Sequence, residues 1–531
     1  MTSLLTIRAL AALLLAIAAA TTASAQKPGG ILKLYSWDSP ASVSPLDGPN
    51  PIGARTTAPV FNNLVMFDQH VKQSSLASVM PDLASEWTWH EDGTELTFTL
   101  RQGIKWHDGK PFTAKDVKCT WDLLLEKSSN RLRGNPLKFW YSNLDEVTTN
   151  GDYEVTFHLK RPQPAFLMLL ADGFSVIYPC HVPAAQMRQH PVGTGPFKFV
   201  EFKPNEYIRL THNPDYWKPA RPYLDGIEFT IIKNMSTAAL AFVSGRLDMT
   251  FPYTLSAPLL RDVQLQMPQA ICEVTPFGGT NTHLLVNRAK PPFDNLDLRR
   301  ALALTLDRKT FIDILGEGEG GIGAALQPQP FGLWGMPLEM LQTLPGYDPD
   351  VQKNRTQARQ IMEKLGYGPD NRLKIKVSAR DLPAFRDPAV LLIDQLKEVY
   401  VDGELEIIDT NIYYPRIQRK DFTVGINLQR SGPDPDQVYS QYYQCGANSN
   451  WDGYCNAEID RLIEEQSAEP DEGRRKELAW TIERKLAEDG ARPIIFYGRA
   501  GTCWRPYVKG LTIMVNSIFN GNRMEDVWLD R

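Results

Sequence analysis

The sequence predicts an α/β protein of two or more domains. Strand-like and helix-like segments alternate along the chain, the pattern of mixed layers of sheet and helix. The chain has 531 residues, and the roughly 500 that remain after a removable N-terminal segment exceed what a single core accommodates. No internal repeat or low-complexity tract follows that segment.

The N-terminus reads as an export signal. Arg8 supplies a short positive region, 9–20 is an apolar run too short to span a bilayer, and Ala23-Ser24-Ala25 is an A-x-A cleavage site. The exported chain is expected to begin at Gln26, cleaved after Ala25. No cysteine follows that site, which argues against a lipid anchor, and no later apolar run reaches membrane-spanning length. The expected location is the periplasm.

A first strand is expected at Ile31–Ser36. Strands at 86–90 and 95–101 flank Asp92-Gly93, a hairpin signal. A second turn, His107-Asp108-Gly109-Lys110, leads into Pro111-Phe112-Thr113. Thr113 is an N-cap with Asp116 three residues on, and Val117, Trp121 and Leu124 follow at helical spacing. Strands are expected over 198–210 and 226–232, with a loop from Thr211 to Trp217 between them. A helix over 236–244 ends at Gly245, and Asn295 caps one running through Arg300, Ala303 and Leu306. Another, 353–365, stops at Gly366, a C′ glycine. Pro470 opens an amphipathic helix with Leu478, Ile482 and Leu486 on one face, ending near Gly490.

The net charge is −5 and well mixed, which argues against nucleic acid and anionic membrane surfaces as partners. Twelve Trp and nineteen Tyr supply core and, in part, amphipathic walls for a cavity. Catalytic signatures are weak. Gly316, Gly318 and Gly321 match G-x-G-x-x-G, but the match follows a helical pattern rather than a strand. The eight histidines include no H-E-x-x-H, and no G-x-S-x-G occurs. His107 reads as a structural turn residue, and His283 as a packed histidine or a ligand contact. Asp434 and Asp436 could serve a glycosidase, but alternate positions in a Pro-containing turn suit capping. No enzyme activity and no cofactor are expected.

The stretch 79–126, VMPDLASEWTWHEDGTELTFTLRQGIKWHDGKPFTAKDVKCTWDLLLE, resembles a block of the extracytoplasmic solute-binding proteins of the peptide/nickel family, the receptors of ABC importers for oligopeptides, dipeptides and related solutes. Shared positions include P-x-L-A-x-x-W, then T-F-x-L-R-x-G, then H-D-G-x-P-F-T-A-x-D-V. Gly193-Thr194-Gly195-Pro196-Phe197, Asn213-Pro214-Asp215-Tyr216-Trp217, Ser244-Gly245-Arg246-Leu247-Asp248, Asn287 with Pro292-Phe293-Asp294, the run 299–307 and Gly366-Tyr367 resemble further family blocks, in order.

The resemblance implies a two-lobed periplasmic-binding-protein fold (type II, class C), three domains with a two-strand hinge. Domain I would comprise 26–67, 190–276 and 499–531, domain II 68–189 and domain III 277–498. The chain would cross between lobes near 275–287 and 494–499, letting the lobes close on a ligand. The implied function is a monomeric periplasmic receptor that captures a peptide-like or other small solute for an inner-membrane ABC permease. Alternatives are an exported hydrolase on the same scaffold, binding of a nickel or other metal complex, and a periplasmic chaperone or sensor partner.

Ligand-facing residues follow from the same resemblance. Trp37 is a cleft wall or core, and Asn281 and Thr282 lie at the first crossover. Arg380 lies where dipeptide-binding relatives place an arginine on the peptide carboxylate, with Arg386 as a rival, and Tyr413 where they place an aromatic wall. The segment from Gln429 to Asp436 resembles a loop whose aspartate grips the peptide ammonium. Here that position is Ser431, with Arg430 beside it and Asp434 further along. A buried ammonium without a counter-charge is costly, so the departure favours a neutral or anionic solute with Arg430 as anion partner. Cys445 and Cys455 bracket a polar loop and match a bridge of several family members; closing it contributes roughly 2–3 kcal/mol. Cys119 reads as a buried small hydrophobe, and Cys180, Cys272 and Cys503 are unassigned.

Overall fold

The computed structural model describes residues 26–47, 51–275, 279–517, 520 and 522–531. The export signal and its cleavage site lie outside the described residues. Among the described residues no helix is long and apolar enough to cross a membrane.

Three sheets organise two lobes. In the first lobe, a four-stranded sheet runs Ile31–Ser36, Gly226–Ile231, Tyr207–His212, Phe197–Lys203, with the first pair parallel. The second four-stranded sheet is antiparallel: Ala84–Trp89, Glu95–Leu100, Glu154–Leu159, Leu144–Thr149. One hydrophobic core joins both, with Leu32 and Leu34 contributed by the first and Leu96, Phe98 and Leu100 by the second. These are alternate residues of their strands, as a half-buried sheet requires. The other lobe holds a six-stranded sheet: Gly320–Gly321, Ile494–Gly498, Thr280–Val286, Val424–Arg430, Leu373–Arg380, Val401–Ile408. Its parallel members are covered by helices such as Pro383–Lys397 and have their own core around Val377, Leu392, Val424 and Ile426.

Local signals account for several elements. Gly93 takes φ +67° in the hairpin turn, a conformation cheap only for glycine. The Ala114–Leu124 helix opens on a capping box in which the Thr113 N–H donates to Asp116 Oδ2 at 3.0 Å. His107 accepts the neighbouring turn's geometry: its ring lies 3.0 Å from the Gly195 carbonyl oxygen, and burial pulls its pKa down to about 4. Three expectations need correction. The strand expected over 198–210 is a hairpin, Phe197–Lys203 and Tyr207–His212, turned at Asn205 with φ +62°. The helix placed at Pro470 is Glu472–Glu488, capped by the Asp471 side chain, and it pairs with a preceding helix, Ala457–Ala468. Cys119 is not a lone hydrophobe but is bonded to Cys180.

Cys445–Cys455 and Cys272–Cys503 are the other disulfides. The latter joins directly opposed residues of Ile271–Thr275 and Ala500–Trp504, the antiparallel pair at the base of the hinge. Its partners are 231 residues apart, against 10 for Cys445–Cys455. Chain-entropy arguments then assign about 5 kcal/mol to the first and about 2–3 kcal/mol to the second. The Cys272→Ser/Cys503→Ser double variant is therefore expected to lower the thermal midpoint more than Cys445→Ser/Cys455→Ser. Equal shifts in a melting experiment would contradict this.

Candidate functional site

Chain crossings place the two lobes face to face. Ile271–Thr275 and Ala500–Trp504 pair in the first lobe, and Thr280–Val286 and Ile494–Gly498 continue them into the six-stranded sheet. Beside these crossings lies a cavity of about 610 Å³, lined by Trp37, Arg55 and Tyr253 from the first lobe and Thr282, Arg380 and Tyr414 from the second, among others.

Strand periodicity decides which crossing residues reach it. Thr280 and Thr282 line the cavity, whereas Asn281 and His283 alternate to the opposite face. Asn281 is buried there and donates to Tyr497 Oη at 3.2 Å. His283 is buried as well, and burial, with Arg492 nearby, holds its pKa well below the ordinary range. In the adjacent strand Leu428 and Arg430 line the cavity.

Trp37 lines the cavity, as does Arg380, the last residue of its strand. The Arg380 guanidinium is ion-paired with Asp38, which follows the first strand of the other lobe, and both are about 1% exposed. Arg380 Nε also donates to Thr410 Oγ1 at 3.2 Å, and the Trp37, Phe385 and Tyr414 rings lie 5.4–6.0 Å from its guanidinium. Arg386 is exposed against Asp387 and does not line the cavity. Arg430 lies 3.3 Å from Asp172 and over the Trp140 and Phe174 rings.

Besides Asn281, three expected residues lie away from the cavity. Tyr413 is buried and donates to the Ile426 carbonyl at 2.7 Å; its neighbour Tyr414 faces the cavity. In the Thr410–Gln418 helix, Tyr413 and Ile417 share the buried face four residues apart. Ser431 is buried, and its N–H donates to the Gly279 carbonyl at 2.7 Å. Asp434 caps the Pro435–Tyr442 helix and grips Arg475 at 2.8 and 2.6 Å. The glycine motif opens no helix: Gly316 ends Arg308–Gly316, and Gly320–Gly321 is an edge strand. Among the described residues no three His, Cys, Asp or Glu side chains converge as a metal site.

Sequence reasoning did not reach Arg55, Tyr253, Trp451 or Phe496, all of which line the cavity. Only aromatic richness signalled the last three, and nothing local marks Arg55.

Comparison with known proteins agrees with this geometry. The chain is 27% identical over 460 residues to Di/tripeptide-binding protein 1 of Pseudomonas aeruginosa, covering 81% of each chain. It is 26% identical over 433 residues to the oligopeptide-binding protein AppA of Bacillus subtilis, covering 77% of this chain and 76% of that one. In fold it resembles the periplasmic binding protein DppA of Helicobacter pylori, solved with the peptide STSA, at a TM-score of 0.82 and 21% identity, covering 95% of this chain and 99% of that one. It also resembles AgaA of A. tumefaciens R10, solved with agropinic acid, at a TM-score of 0.79 and 22% identity, over 94% and 99% of the two chains. The family model for the middle region of bacterial extracellular solute-binding proteins, family 5, matches residues 78–450, well over half of this chain, which therefore belongs to that family.

Proposed function

We propose that the protein is the periplasmic receptor of an ABC importer, closing two lobes on a small solute and passing it unchanged to an inner-membrane permease. The observation that carries this reading is the cavity between lobes that are connected by paired crossing strands. Polar contacts that bridge the lobes support closure as the binding step. Trp140 Nε1 donates to the Gln437 carbonyl at 3.2 Å, Gln163 to Asp436 at 2.7 Å and Asn448 to the Asn135 carbonyl at 2.7 Å. Trp140, Gln163, Asn135, Asp436 and Gln437 are buried where the lobes meet, and contacts of this kind are made as a hinge closes. The three-domain division 26–67/190–276/499–531, 68–189 and 277–498 is part of this proposal, and the separate sheets of the two lobes support it. The relatives' names favour peptide-like solutes, from di- and tripeptides to oligopeptides. A monomer suffices for this cycle.

The test is calorimetry with small-angle scattering on protein prepared without refolding, using a panel of di- and tripeptides and their N-acetylated forms. Saturable binding, recovery of the compound intact and a fall in radius of gyration on binding are expected. Turnover of a bound compound would replace this reading with the hydrolase one, and binding with no change in the scattering curve would remove lobe closure.

A further inference from the structure

The cavity is lined by five cationic side chains, Arg55, Lys233, Arg380, Arg430 and Arg499, and by two carboxylates, Glu319 and Asp387. Most of this charge is matched locally. Arg380 meets Asp38, Arg430 meets Asp172 at 3.3 Å, and Arg499 meets Glu319 at 2.5 Å. Asp387 lies 3.3 Å from Arg386, and the exposed Lys233 ammonium is 4.0 Å from Asp38.

Arg55 is different. It is 6% exposed; its electrostatic neighbours are the neutral phenols of Tyr253 and Tyr35, and among the described residues no carboxylate pairs with it. None can come from the residues outside the description, because none of those is Asp or Glu. One Nη donates to the Pro252 carbonyl at 2.7 Å, while Nε is buried without a partner. The guanidinium lies over aromatic rings, 4.4 Å from the Phe251 centroid and 5.7 Å from that of Tyr253. Tyr253 itself takes φ +62°, a conformation rare for a bulky residue. The Tyr253 N–H donates to Thr502 Oγ1 at 2.9 Å, and the Met514 N–H donates to Tyr253 Oη at 2.8 Å, which together hold it there. Backbone strain of this kind concentrates beside binding sites. Burial lowers the Arg55 pKa to about 10, which leaves it cationic at neutral pH.

A desolvated guanidinium with no carboxylate beside it is costly, and an anion offsets that cost. Its planar fork fits a carboxylate better than a point charge would. An ammonium finds no such reception, since both lining carboxylates already lie against arginines. The remaining walls are largely apolar, including Leu255, Leu259, Leu315, Leu428 and Phe496.

We propose that Arg55 is the anion-binding residue of this cavity, and that the solute carries one carboxylate or similar oxyanion, an apolar body and no ammonium group. This rests on the receptor reading and narrows it. Once bound, the carboxylate meets the guanidinium where Arg55 lines the cavity, and the neighbouring rings fix its orientation.

The test is calorimetry with three matched probes, Ala-Phe, N-acetyl-Ala-Phe and N-acetyl-Ala-Phe amide, against wild type, Arg55→Met and Arg55→Lys. Wild type is expected to bind the acetylated acid at least about tenfold more tightly than the other two, the margin of one charge-assisted pair. Arg55→Met is expected to remove the preference for acid over amide, and Arg55→Lys to keep part of it. The Met variant should melt no lower than wild type, because it removes a buried charge that nothing compensates. If it does melt lower, the acid-to-amide ratio of the Lys variant decides, and an unchanged ratio there overturns the assignment. A zwitterion bound as tightly as the acetylated acid, or an acid-to-amide ratio unmoved by Arg55→Met, sinks the anion site and leaves the receptor standing. Failure of all three probes to bind wild type at millimolar concentration counts against a receptor for peptide-sized solutes, and this assignment falls with it.

Discussion

Asp38→Asn is expected to weaken binding of any solute that saturates the wild type by about a hundredfold, a loss of about 3 kcal/mol. Asp38 stands just past the first strand of one lobe, and its carboxylate pairs with Arg380 at the end of a strand in the other. Both are about 1% exposed, so the pair is dry when the lobes are closed. Removing one partner of a buried pair leaves the other charge uncompensated, and the full desolvation cost appears. In the open form both groups regain water and the substitution costs little. The loss therefore belongs to closure and is read as affinity, while the unliganded melting temperature stays near that of wild type. Asparagine keeps the oxygen that accepts the Ser39 N–H at 2.8 Å, so the local turn survives. Arg380→Met in the Asp38→Asn background should recover part of the affinity, since the stranded charge is then gone. Affinity within threefold of wild type in calorimetry of Asp38→Asn would show that the pair does not latch the lobes.

That pair also marks the boundary of what the sequence makes legible. Turns and caps are local: Asp92-Gly93, Thr113 with Asp116, and Asn295 announce themselves within a few residues, and the structure places them where that chemistry requires. Strand alternation is local too, and once the crossing strand is located it separates Thr282 from Asn281. The phase of a short helix is not. Tyr413 and Tyr414 are adjacent aromatics of equal promise, and only packing of Tyr413 against Phe385 and Ile426 decides which one faces the cavity. Pro204-Asn205 is a local turn signal too, and it divides the stretch expected as one strand into Phe197–Lys203 and Tyr207–His212. Long-range partners leave no trace at all. Asp38 and Arg380 are 342 positions apart, so an arginine expected to meet a ligand carboxylate meets one from its own chain. The Cys119–Cys180 and Cys272–Cys503 bridges are hidden in the same way.

Asp434→Asn should give the opposite pattern to Asp38→Asn: a large loss of stability with binding intact. Both carboxylate oxygens of Asp434 hold Arg475, and Asp436 approaches the same guanidinium at 3.2 Å. Burial alone would lower the Arg475 pKa, but the two carboxylates hold it above its ordinary value. The guanidinium lies 4.6 Å from the Trp334 ring, whose indole N–H donates to the Pro433 carbonyl at 3.1 Å. Around this cluster pack Tyr439, Ile463 and Ile482, from three helices. The ion pair therefore ties the loop after the Val424–Arg430 strand to the Glu472–Glu488 helix within one core. Neutralising Asp434 leaves a buried arginine with one carboxylate instead of two, at a cost of about 3 kcal/mol. Asparagine can still cap the Pro435–Tyr442 helix, so the cap contributes little to that loss. Asp434 does not line the cavity, so calorimetry on the folded fraction should return wild-type affinity within threefold. A variant that melts like wild type but binds poorly would return Asp434 to the ligand and break the separation between latch and scaffold.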